Sequence, residues 1–423
     1  MKKIIATIVF ATIYVHAFCQ ERGVDSVLLR KSEELHKQAL ALTSNEDYNA
    51  AIAYADSSIR IRKEAIGADD SVCAKIMYLM SDLYFDSGKY LKALYWAKQC
   101  MQIRSKILTE KSPDYFESLF QVGKCNCWLG KWNTAKKYFD NAIEGWSETQ
   151  DTISRVYLKY MEFRALVSRA TSEYLTAIGF LIRAENIATI VYGEESEEVG
   201  DIMAKEADYC LLATGFSRGG DCSPCLEVAE QSLFIHKKIN GGKVDYEYYD
   251  RLCTVANIYM SMGEYKKADS IYSDIYMASN DTVLIPRNDA LSHDVINNYA
   301  QCLHREGYYY KAIKLYLKLL TNLNHEDNEE QKSFKLSVLK NIVNCYIDLG
   351  DVDNSLNYIQ QAYDVVESMQ GMQFQNNKTS LAILKARIFS KNKEYGKAIQ
   401  TIREAIEQNP KMEERQYNIT SVS

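Results

Sequence analysis

The side chains best suited to chemistry in this 423-residue sequence are its cysteines and histidines. Cys222 and Cys225 form a C-x-x-C pair, which in a redox protein needs a thiol of low pKa at a helix start within a βαβ setting. The flanking pattern is helical, so we predict that these two cysteines pack in the core or form a local disulfide. Cys125 and Cys127 have no His or Cys at metal-ligand spacing, and no metal site is predicted there. Most of the 11 cysteines fall inside helical segments, where they are predicted to be small buried side chains.

The histidines and the overall charge argue against further classes of function. His236 and His304 fall on helical segments without a Ser, Cys or Glu partner that the sequence places beside them, so no nucleophilic dyad is predicted. The sequence has neither a Gly-rich phosphate loop nor an H-E-x-x-H motif. Its net charge is −6 without a basic stripe, which argues against nucleic-acid binding. We therefore predict a protein that is not an enzyme and that uses no cofactor or metal.

The element that must position any functional side chain is an internal repeat. A small residue recurs first at intervals of 42 residues and later at intervals of 48, 43, 44, 43 and 43, and in seven of the nine units an aromatic stands three positions before it. The two exceptions have Cys222 and Val352 at that position. A glycine often stands two positions before the aromatic, which suits a helix C-terminus that needs φ > 0. The small residues are Ala51, Ala93, Ala135, Ala177, Cys225, Ala268, Ala312, Ser355 and Ala398, and the glycines are Gly88, Gly130, Gly220, Gly263, Gly307 and Gly350.

Each repeat has the apolar pattern of two helices. In the sixth repeat, Leu252, Val255, Ala256 and Tyr259 recur at helical spacing before the turn, and the pattern resumes after Ala268. Since one helical pair cannot bury its apolar face alone, neighbouring pairs must stack. The fold predicted is therefore all-α, a right-handed α-solenoid of about nine helix-turn-helix units over residues 27–409. The fifth unit fits best with extra residues near 199–205, where a break is predicted, and residues 410–423 form a tail.

The repeat resembles the tetratricopeptide repeat. The third unit carries Val122-Gly123, Gly130, Trp132 and Ala135 of that family's pattern, with Phe139 and Ala142 after them. Its length of 42 to 44 residues is similar to the units of kinesin light chain and of bacterial scaffolds. The resemblance implies that the first helix of each pair lines a concave groove that binds a protein or an extended peptide.

The groove positions implied by this resemblance are mostly polar. Asn297-Asn298 and Lys340-Asn341 fall at matching positions of successive first helices, where asparagine can bond to peptide N–H and C=O groups and Lys340 to a carboxylate. The alternative is that these residues are simply a solvated surface. The full set of implied groove residues is Tyr78, Asp82, Phe120, Lys124, Asn257, Asn297, Asn298, Gln301, Lys340, Asn341 and Asn344.

The N-terminus has the pattern of an export signal. Lys2 and Lys3 precede an apolar run from Ile4 to Phe18, and polar residues follow Cys19. We predict that residues 1–19 are a signal peptide and that the protein acts in the periplasm or cell envelope. A short membrane anchor and a lipid anchor on Cys19 remain alternatives. No segment after the first 20 residues is expected to be apolar enough to span a bilayer.

Two functions follow from this interpretation. The first is an exported scaffold that binds a protein or peptide in its groove. The second is a periplasmic sensor module that docks to a separate membrane signalling partner.

The array lacks an obvious polar capping helix after Pro410, so the last pair is predicted to fray, to be covered by residues 411–423, or to form a homodimer contact.

Overall fold

The structure is a computed structural model that describes residues 26–67, 70–214, 222–278, 290–323, 328–369 and 372–408. Within these ranges the chain forms eighteen helices and no strand, which is the number of helices that nine pairs require. The helices are α1 (Ser26–Ser44), α2 (Tyr48–Ile66), α3 (Ser71–Asp86), α4 (Tyr90–Ile107), α5 (Pro113–Trp128), α6 (Trp132–Thr149), α7 (Arg155–Ala170), α8 (Tyr174–Tyr192), α9 (Glu197–Thr214), α10 (Ser223–Ile239), α11 (Tyr246–Met262), α12 (Tyr265–Ala278), α13 (Ala290–Arg305), α14 (Tyr309–Asn322), α15 (Glu329–Leu349), α16 (Val352–Glu367), α17 (Met372–Lys391) and α18 (Tyr395–Gln408).

The chain divides into two compact units, here called the N-terminal unit (up to Ala213) and the C-terminal unit (from Thr214). In each unit the helices pair in chain order, as α1 with α2 or α11 with α12, and each pair packs on the next. Helix α9 runs without interruption through residues 199–205, where the sequence suggested a break, and the division falls at its end. We call the face formed by the first helices of the pairs the inner face of a unit.

The tight turn inside each pair explains the recurring glycines. Gly88, Gly130, Gly263, Gly307 and Gly350 all have φ between 69° and 86°, the left-handed conformation that costs glycine least. Gly220 lies outside the described residues. Three pairs lack the glycine, and there a residue with a side chain adopts the same conformation. These residues are Glu46, Ser172 and Lys393, with φ of 60°, 61° and 62°.

The small and aromatic residues of the repeat meet in the core of each pair. Ala135, Ala268 and Ala312 are completely buried, which lets the two helices of a pair approach closely. An aromatic four residues later fills the adjacent space, as Tyr272 does at 0% exposure. Such burial is worth roughly 2–3 kcal/mol for each large side chain. The close approach also explains Gly123, because a Cβ there would lie 2.7 Å from the ring of Phe139.

Polar side chains near the ends of some second helices join one pair to the next. Arg62 bonds to the carboxylate of Asp70, which caps the N-terminus of α3. Burial works against the charged form of Asp70, yet the bonds from Arg62 and from backbone N–H groups lower its pKa overall. His236 stands at the same position of its repeat, and its Nε2 lies 2.9 Å from Asp245 Oδ1 at the N-cap of α11. In both cases a side chain of a second helix thus binds the aspartate that caps the following helix.

Helix α8 is the one described helix that is long and apolar enough to cross a membrane by length and composition, with a mean hydropathy of 1.3. The prediction that no segment after the first 20 residues passes this test was therefore wrong. The same composition suits a packed helix, because α8 lies along α7 and buries Ala177, Leu181 and Ala184 there. The predicted signal peptide, residues 1–19, lies outside the described residues.

Candidate functional site

Four asparagines on the inner face of the C-terminal unit form a chain of side-chain amides, here called the amide row. Asn298 Nδ2 donates to Asn257 Oδ1 at 3.0 Å, which links α13 to α11. Asn297 Nδ2 donates to Asn298 Oδ1 at 3.3 Å, and Asn341 Nδ2 on α15 donates to Asn297 Oδ1 at 3.4 Å. The asparagines selected from the sequence are therefore brought together across three consecutive first helices.

A buried tyrosine fixes one end of the amide row. The hydroxyl of Tyr272 on α12 donates to Asn257 Oδ1, and the tyrosine ring is fully buried. Because Asn257 Oδ1 accepts bonds from both Tyr272 and Asn298, its side chain is held in one orientation. Each amide of the row has two N–H groups and two acceptor sites, so a chain of single bonds leaves further donors and acceptors for a ligand.

A cleft of ≈ 390 Å³ opens beside Asn257. Its volume lies within the range of ligand pockets, and its lining mixes amides with aromatic and thioether groups. Gln301, which the sequence also selected, lies in this cleft next to Asn298. The lining residues are Asn257, Met260, Ser261, Met262, Gly263, Tyr265, Tyr272, Asn298, Gln301 and Arg305.

The inner face continues beyond the amide row through the predicted Asn344 and through Arg387 and Asp348, which the sequence analysis missed. Asn344 Oδ1 accepts a bond of 3.0 Å from Arg387 Nη1 on α17. Arg387 also lies 3.3 Å from Asp348, whose other carboxylate oxygen is 2.9 Å from His304 Nε2. A signal for Arg387 existed, because it stands eleven residues before the small residue of its repeat, as Asn344 does.

No carboxylate lies within ion-pair distance of Lys340, on the same inner face, in the part of the chain that the structure describes. Burial lowers its pKa, since the charged amine loses hydration without gaining a counter-ion. An incoming carboxylate would replace that lost stabilisation. Lys340 lies in a cleft of ≈ 280 Å³ with neutral hydrogen-bonding neighbours, and the cleft is lined by Ser333, Leu336, Ser337, Lys340, Asn376 and Asn377.

The inner face of the N-terminal unit is charged instead. Asp82 Oδ1 on α3 accepts a 2.7 Å bond from Gln121 Nε2 and lies 3.7 Å from Lys124 Nζ, both on α5. Burial raises the pKa of Asp82, although Lys124 opposes that shift. Lys124 also lies 3.9 Å from the centroid of the Phe85 ring. The two predicted groove residues therefore bind each other across the repeats.

The same pairing of charges recurs further along this unit. Glu162 on α7 and Lys205 on α9 form an ion pair of 2.7 Å. Lys159 lies over the Phe120 ring at 5.2 Å, and burial together with nearby Lys124 lowers its pKa. Ionic groups on this inner face are thus directed mainly at neighbouring helices.

Of the two aromatic residues expected in the groove, Phe120 belongs to the interior and Tyr78 is partly buried against the core. Phe120 is only 2% exposed and stacks on Tyr160 with ring centroids 4.8 Å apart, so its selection as a groove residue was wrong. An apolar ring at the edge of the core turns inward because burial removes it from water. Tyr78 lies beneath Arg104, whose guanidinium is 5.1 Å from the ring centroid. Burial raises the pKa of Tyr78.

The cysteines have structural positions. Eight described cysteines are free and buried, as the sequence predicted for most of them. Cys225 is disulfide-bonded, as is Cys210, whereas Cys222 is a free buried thiol. The alternative of a local Cys222–Cys225 disulfide was therefore wrong. In the described ranges, no group of three His, Cys, Asp or Glu side chains is placed to hold a metal ion.

Comparisons with known proteins agree with this architecture. Residues 32–106 and 380–412 match family models for the tetratricopeptide repeat. No curated protein sequence matches the chain significantly. The chain is similar in structure to the apo form of RapI, with a TM-score of 0.61 and 13% identity over 90% of this chain and 98% of RapI.

Two further solved structures share the fold. The apo form of the quorum sensor NprR from B. thuringiensis has a TM-score of 0.55 and 14% identity, over 89% of this chain and 97% of NprR. A tetratricopeptide repeat protein from Parabacteroides merdae ATCC 43184 has a TM-score of 0.50 and 15% identity, over 75% of this chain and 98% of that one. At these identities the similarity concerns the fold.

Proposed function

Because this chain belongs to the tetratricopeptide repeat family, we propose that it is a scaffold that binds another protein or an extended peptide along the inner face of its C-terminal unit. The observation that carries this proposal is the amide row, in which Asn257, Asn298, Asn297 and Asn341 bond to one another across three first helices. An aligned row of amides is suited to a ligand that presents N–H and C=O groups at regular intervals.

The dimensions of stacked helices fit an extended chain. Neighbouring packed helices lie about 10 Å apart, and an extended peptide advances about 3.3 Å per residue. About three ligand residues therefore pass each first helix, so α11, α13 and α15 together contact a segment of about nine residues. Lys340 supplies a positive charge at one side of this path, where a ligand carboxylate would restore the stabilisation that burial removes.

Binding rather than catalysis is the activity proposed. His304 beside the amide row lies 2.9 Å from Asp348, and that carboxylate also meets Arg387 of the next pair. The histidine is thereby held between repeats, in a role that stabilises the stack.

A sensor module is the second candidate, because the quorum sensor NprR has the same fold. As a sensor, the protein would bind the peptide as a signal, and peptide binding would change how the protein associates with a membrane signalling partner. Ligand-dependent association with a second protein, absent without peptide, would favour the sensor over the plain scaffold.

Export is part of the proposal and rests on the sequence of residues 1–19. Expression with and without these residues, followed by mass measurement of the mature N-terminus, tests it. Cleavage after residue 19 supports export, cleavage before Cys19 with an added lipid mass supports the lipid anchor, and an intact N-terminus contradicts both.

Self-association through the last pair is proposed from the exposure of α18, which buries no residue. Tyr395 and Ile399 are 59% and 55% exposed on this helix. We expect light scattering to show a dimer of the wild type and a monomer of Ile399→Glu. A wild-type monomer at micromolar concentration contradicts this part of the proposal.

The groove proposal is tested by selecting unstructured peptides from a display library on the whole protein. Affinities are then compared for the wild type and for N297A/N341A, with N186A as a matched control. Asn186 is an exposed asparagine on α8 whose Nδ2 bonds to its own helix at 2.8 Å. We expect a loss of at least about tenfold from the double variant and no change from N186A. Equal affinities for all three proteins would show that binding lies elsewhere.

A further inference from the structure

A second cleft, here called the outer cleft, lies on the second helices of the C-terminal unit, between α12 and α14. Its volume is ≈ 570 Å³, which is well within the range of protein binding pockets. The groove proposed above is formed by first helices, so the outer cleft is a different surface. It is lined by Ser273, Tyr276, Met277, Tyr299, Leu303, Lys311, Lys314, Leu315 and Lys318.

The floor of the outer cleft is apolar and firmly packed. Leu303 and Leu315 are 4% and 9% exposed and belong to the core beneath. The rings of Tyr276 and Tyr299 meet with their centroids 5.8 Å apart. Met277 stands at the rim with 68% of its surface exposed. Buried leucines hold the tyrosines in place, while the flexible methionine can adapt to a bound side chain.

Three lysines follow one edge of the cleft. Lys311, Lys314 and Lys318 stand at i, i+3 and i+7 of α14, which places them on one face of the helix. In the described part of the chain, no carboxylate lies within ion-pair distance of any of the three. Lys318 Nζ instead donates to the hydroxyl of Tyr276 at 2.9 Å. Glu306, at the turn before α14, is within electrostatic reach of Lys311 but does not pair with it.

We propose that the outer cleft binds an acidic amphipathic helix of a partner protein. The lysines lie about 4.5 and 6 Å apart along the axis of α14, since a helix rises 1.5 Å per residue. Carboxylates spaced three and four residues apart on a second helix match that interval. An aromatic or leucine side chain between those carboxylates would enter the cleft and contact the two tyrosines and the exposed methionine.

The surface around the cleft favours a protein over a small anionic molecule. Tyr308 and Tyr310, just before Lys311 in the chain, are 51% and 76% exposed, so the apolar surface extends beyond the cavity itself. Tyrosine and methionine are enriched in protein interfaces, and acidic residues are the complement of the lysine edge. A partner helix covers both the cavity and this margin, whereas a small molecule covers only the cavity.

The test uses a display library of 16-residue peptides, selected in parallel on the wild type and on K311E/K314E. Both lysines are exposed, so the charge reversal is compatible with folding, which circular dichroism verifies. We expect the wild type alone to enrich peptides with Asp or Glu at three- and four-residue spacing around an aromatic or leucine. Affinity of these peptides is expected to fall at least about tenfold for K311E/K314E and for M277E.

Matched controls come from exposed positions on second helices of the N-terminal unit. K98E/K137E reverses two exposed lysines on α4 and α6, and L91E alters a side chain that is 68% exposed, the same fraction as Met277. These controls are expected to bind as the wild type does. The proposal is overturned if acidic peptides are not enriched, if K311E/K314E and M277E bind them equally well, or if phosphatidylglycerol vesicles bind through these lysines while the peptides do not.

Discussion

The inner faces of the two units differ in the chemistry that joins one repeat to the next. In the N-terminal unit, opposite charges meet across the helices, as Asp82 does with Lys124 and Glu162 with Lys205. In the C-terminal unit, the corresponding first helices are linked by uncharged amides, from Asn257 through to Asn341. The same fold thus presents a self-paired ionic surface in the N-terminal unit, and in the C-terminal unit a row of neutral amides that is followed by the Arg387–Asp348 ion pair.

This difference separates stabilisation of the stack from ligand recognition. A partly buried ion pair directs both partners at each other, because leaving either charge unpaired costs more than the pair contributes. An amide chain retains additional donors and acceptors after its own bonds are formed. Recognition of a peptide backbone is therefore expected in the C-terminal unit, where the linking groups are not fully satisfied.

The largest expected effect concerns pH and the N-terminal unit. Burial and the neighbouring carboxyl of Glu185 raise the pKa of Glu206 on α9 from 4.5 to about 7. Because this pKa is higher in the folded protein, the protonated Glu206 is compatible with full stability of the folded state below pH 4.5. That stability is lost as the pH rises through about 7 and the buried carboxyl ionises. Glu206→Gln keeps the neutral form and should stabilise this unit by about 2 kcal/mol at pH 8.

Hydrogen exchange of each helix checks this expectation. In the wild type, α8 and α9 should lose protection between pH 6 and 8, after correction for intrinsic exchange, whereas α11 and α13 should not. The E206Q variant should remove the pH dependence of α8 and α9. An unchanged pH profile in the variant would contradict the account of this carboxyl pair.

A smaller effect is expected from breaking one ion pair. Lys124→Met removes the amine from Asp82 and should reduce protection of α3 and α5 by about 1–2 kcal/mol at pH 7. The loss should shrink as Asp82 becomes protonated at lower pH, since its pKa is already raised. Asn344→Met changes the equivalent position of the C-terminal unit and should reduce protection from hydrogen exchange by a smaller amount. Equal losses would mean that the two inner faces are not energetically different.

A single hydroxyl distinguishes two tyrosines at the same position of neighbouring repeats. Tyr272 donates to Asn257, whereas the hydroxyl of Tyr316 is buried without a partner in the described structure. Tyr272→Phe should cost about 1 kcal/mol and loosen the amide row, while Tyr316→Phe should be neutral or stabilising. Thermal melts compare the two variants, and equal destabilisation would contradict the role given to Tyr272.

The smallest effect concerns the turns. Ser172 adopts φ of 61° in a turn of the N-terminal unit, and Gly263 adopts φ of 78° in one of the C-terminal unit. Ser172→Gly should stabilise by about 0.5–1 kcal/mol and Gly263→Ala should destabilise by about 1 kcal/mol. Thermal melts measure both changes. A stabilising Gly263→Ala would contradict this explanation of the recurring glycines.

The repeat allowed the fold and part of the site to be predicted from the sequence. The position fifteen residues before each small residue shows why the rest was harder to predict, since it holds Tyr78, Phe120, Asn297 and Lys340. That position lies at the boundary between core and inner face. A polar side chain there reaches outward, whereas Phe120 turns into the core. Spacing alone identifies the position and not the direction of the side chain.

Other residues depended on contacts that no local pattern encodes. Tyr272 was identified as a core aromatic, but its hydroxyl bond to Asn257 joins a second helix to the inner face. Arg387 and Asp348 come from successive pairs, and their pairing requires the register between repeats. That register is set by the packing of whole helical pairs. The packing depends on many weak contacts, and no short sequence pattern records them.

The central claim is that the inner face of the C-terminal unit, and not that of the N-terminal unit, recognises the peptide. The most direct measurement places a photoreactive benzophenone residue at Gln301 in one variant and at Asp82 in another, and then adds a peptide selected on the wild type. We expect the peptide to cross-link at position 301 and not at position 82. Cross-linking at position 82 without cross-linking at 301 would contradict the claim and move recognition to the ionic face.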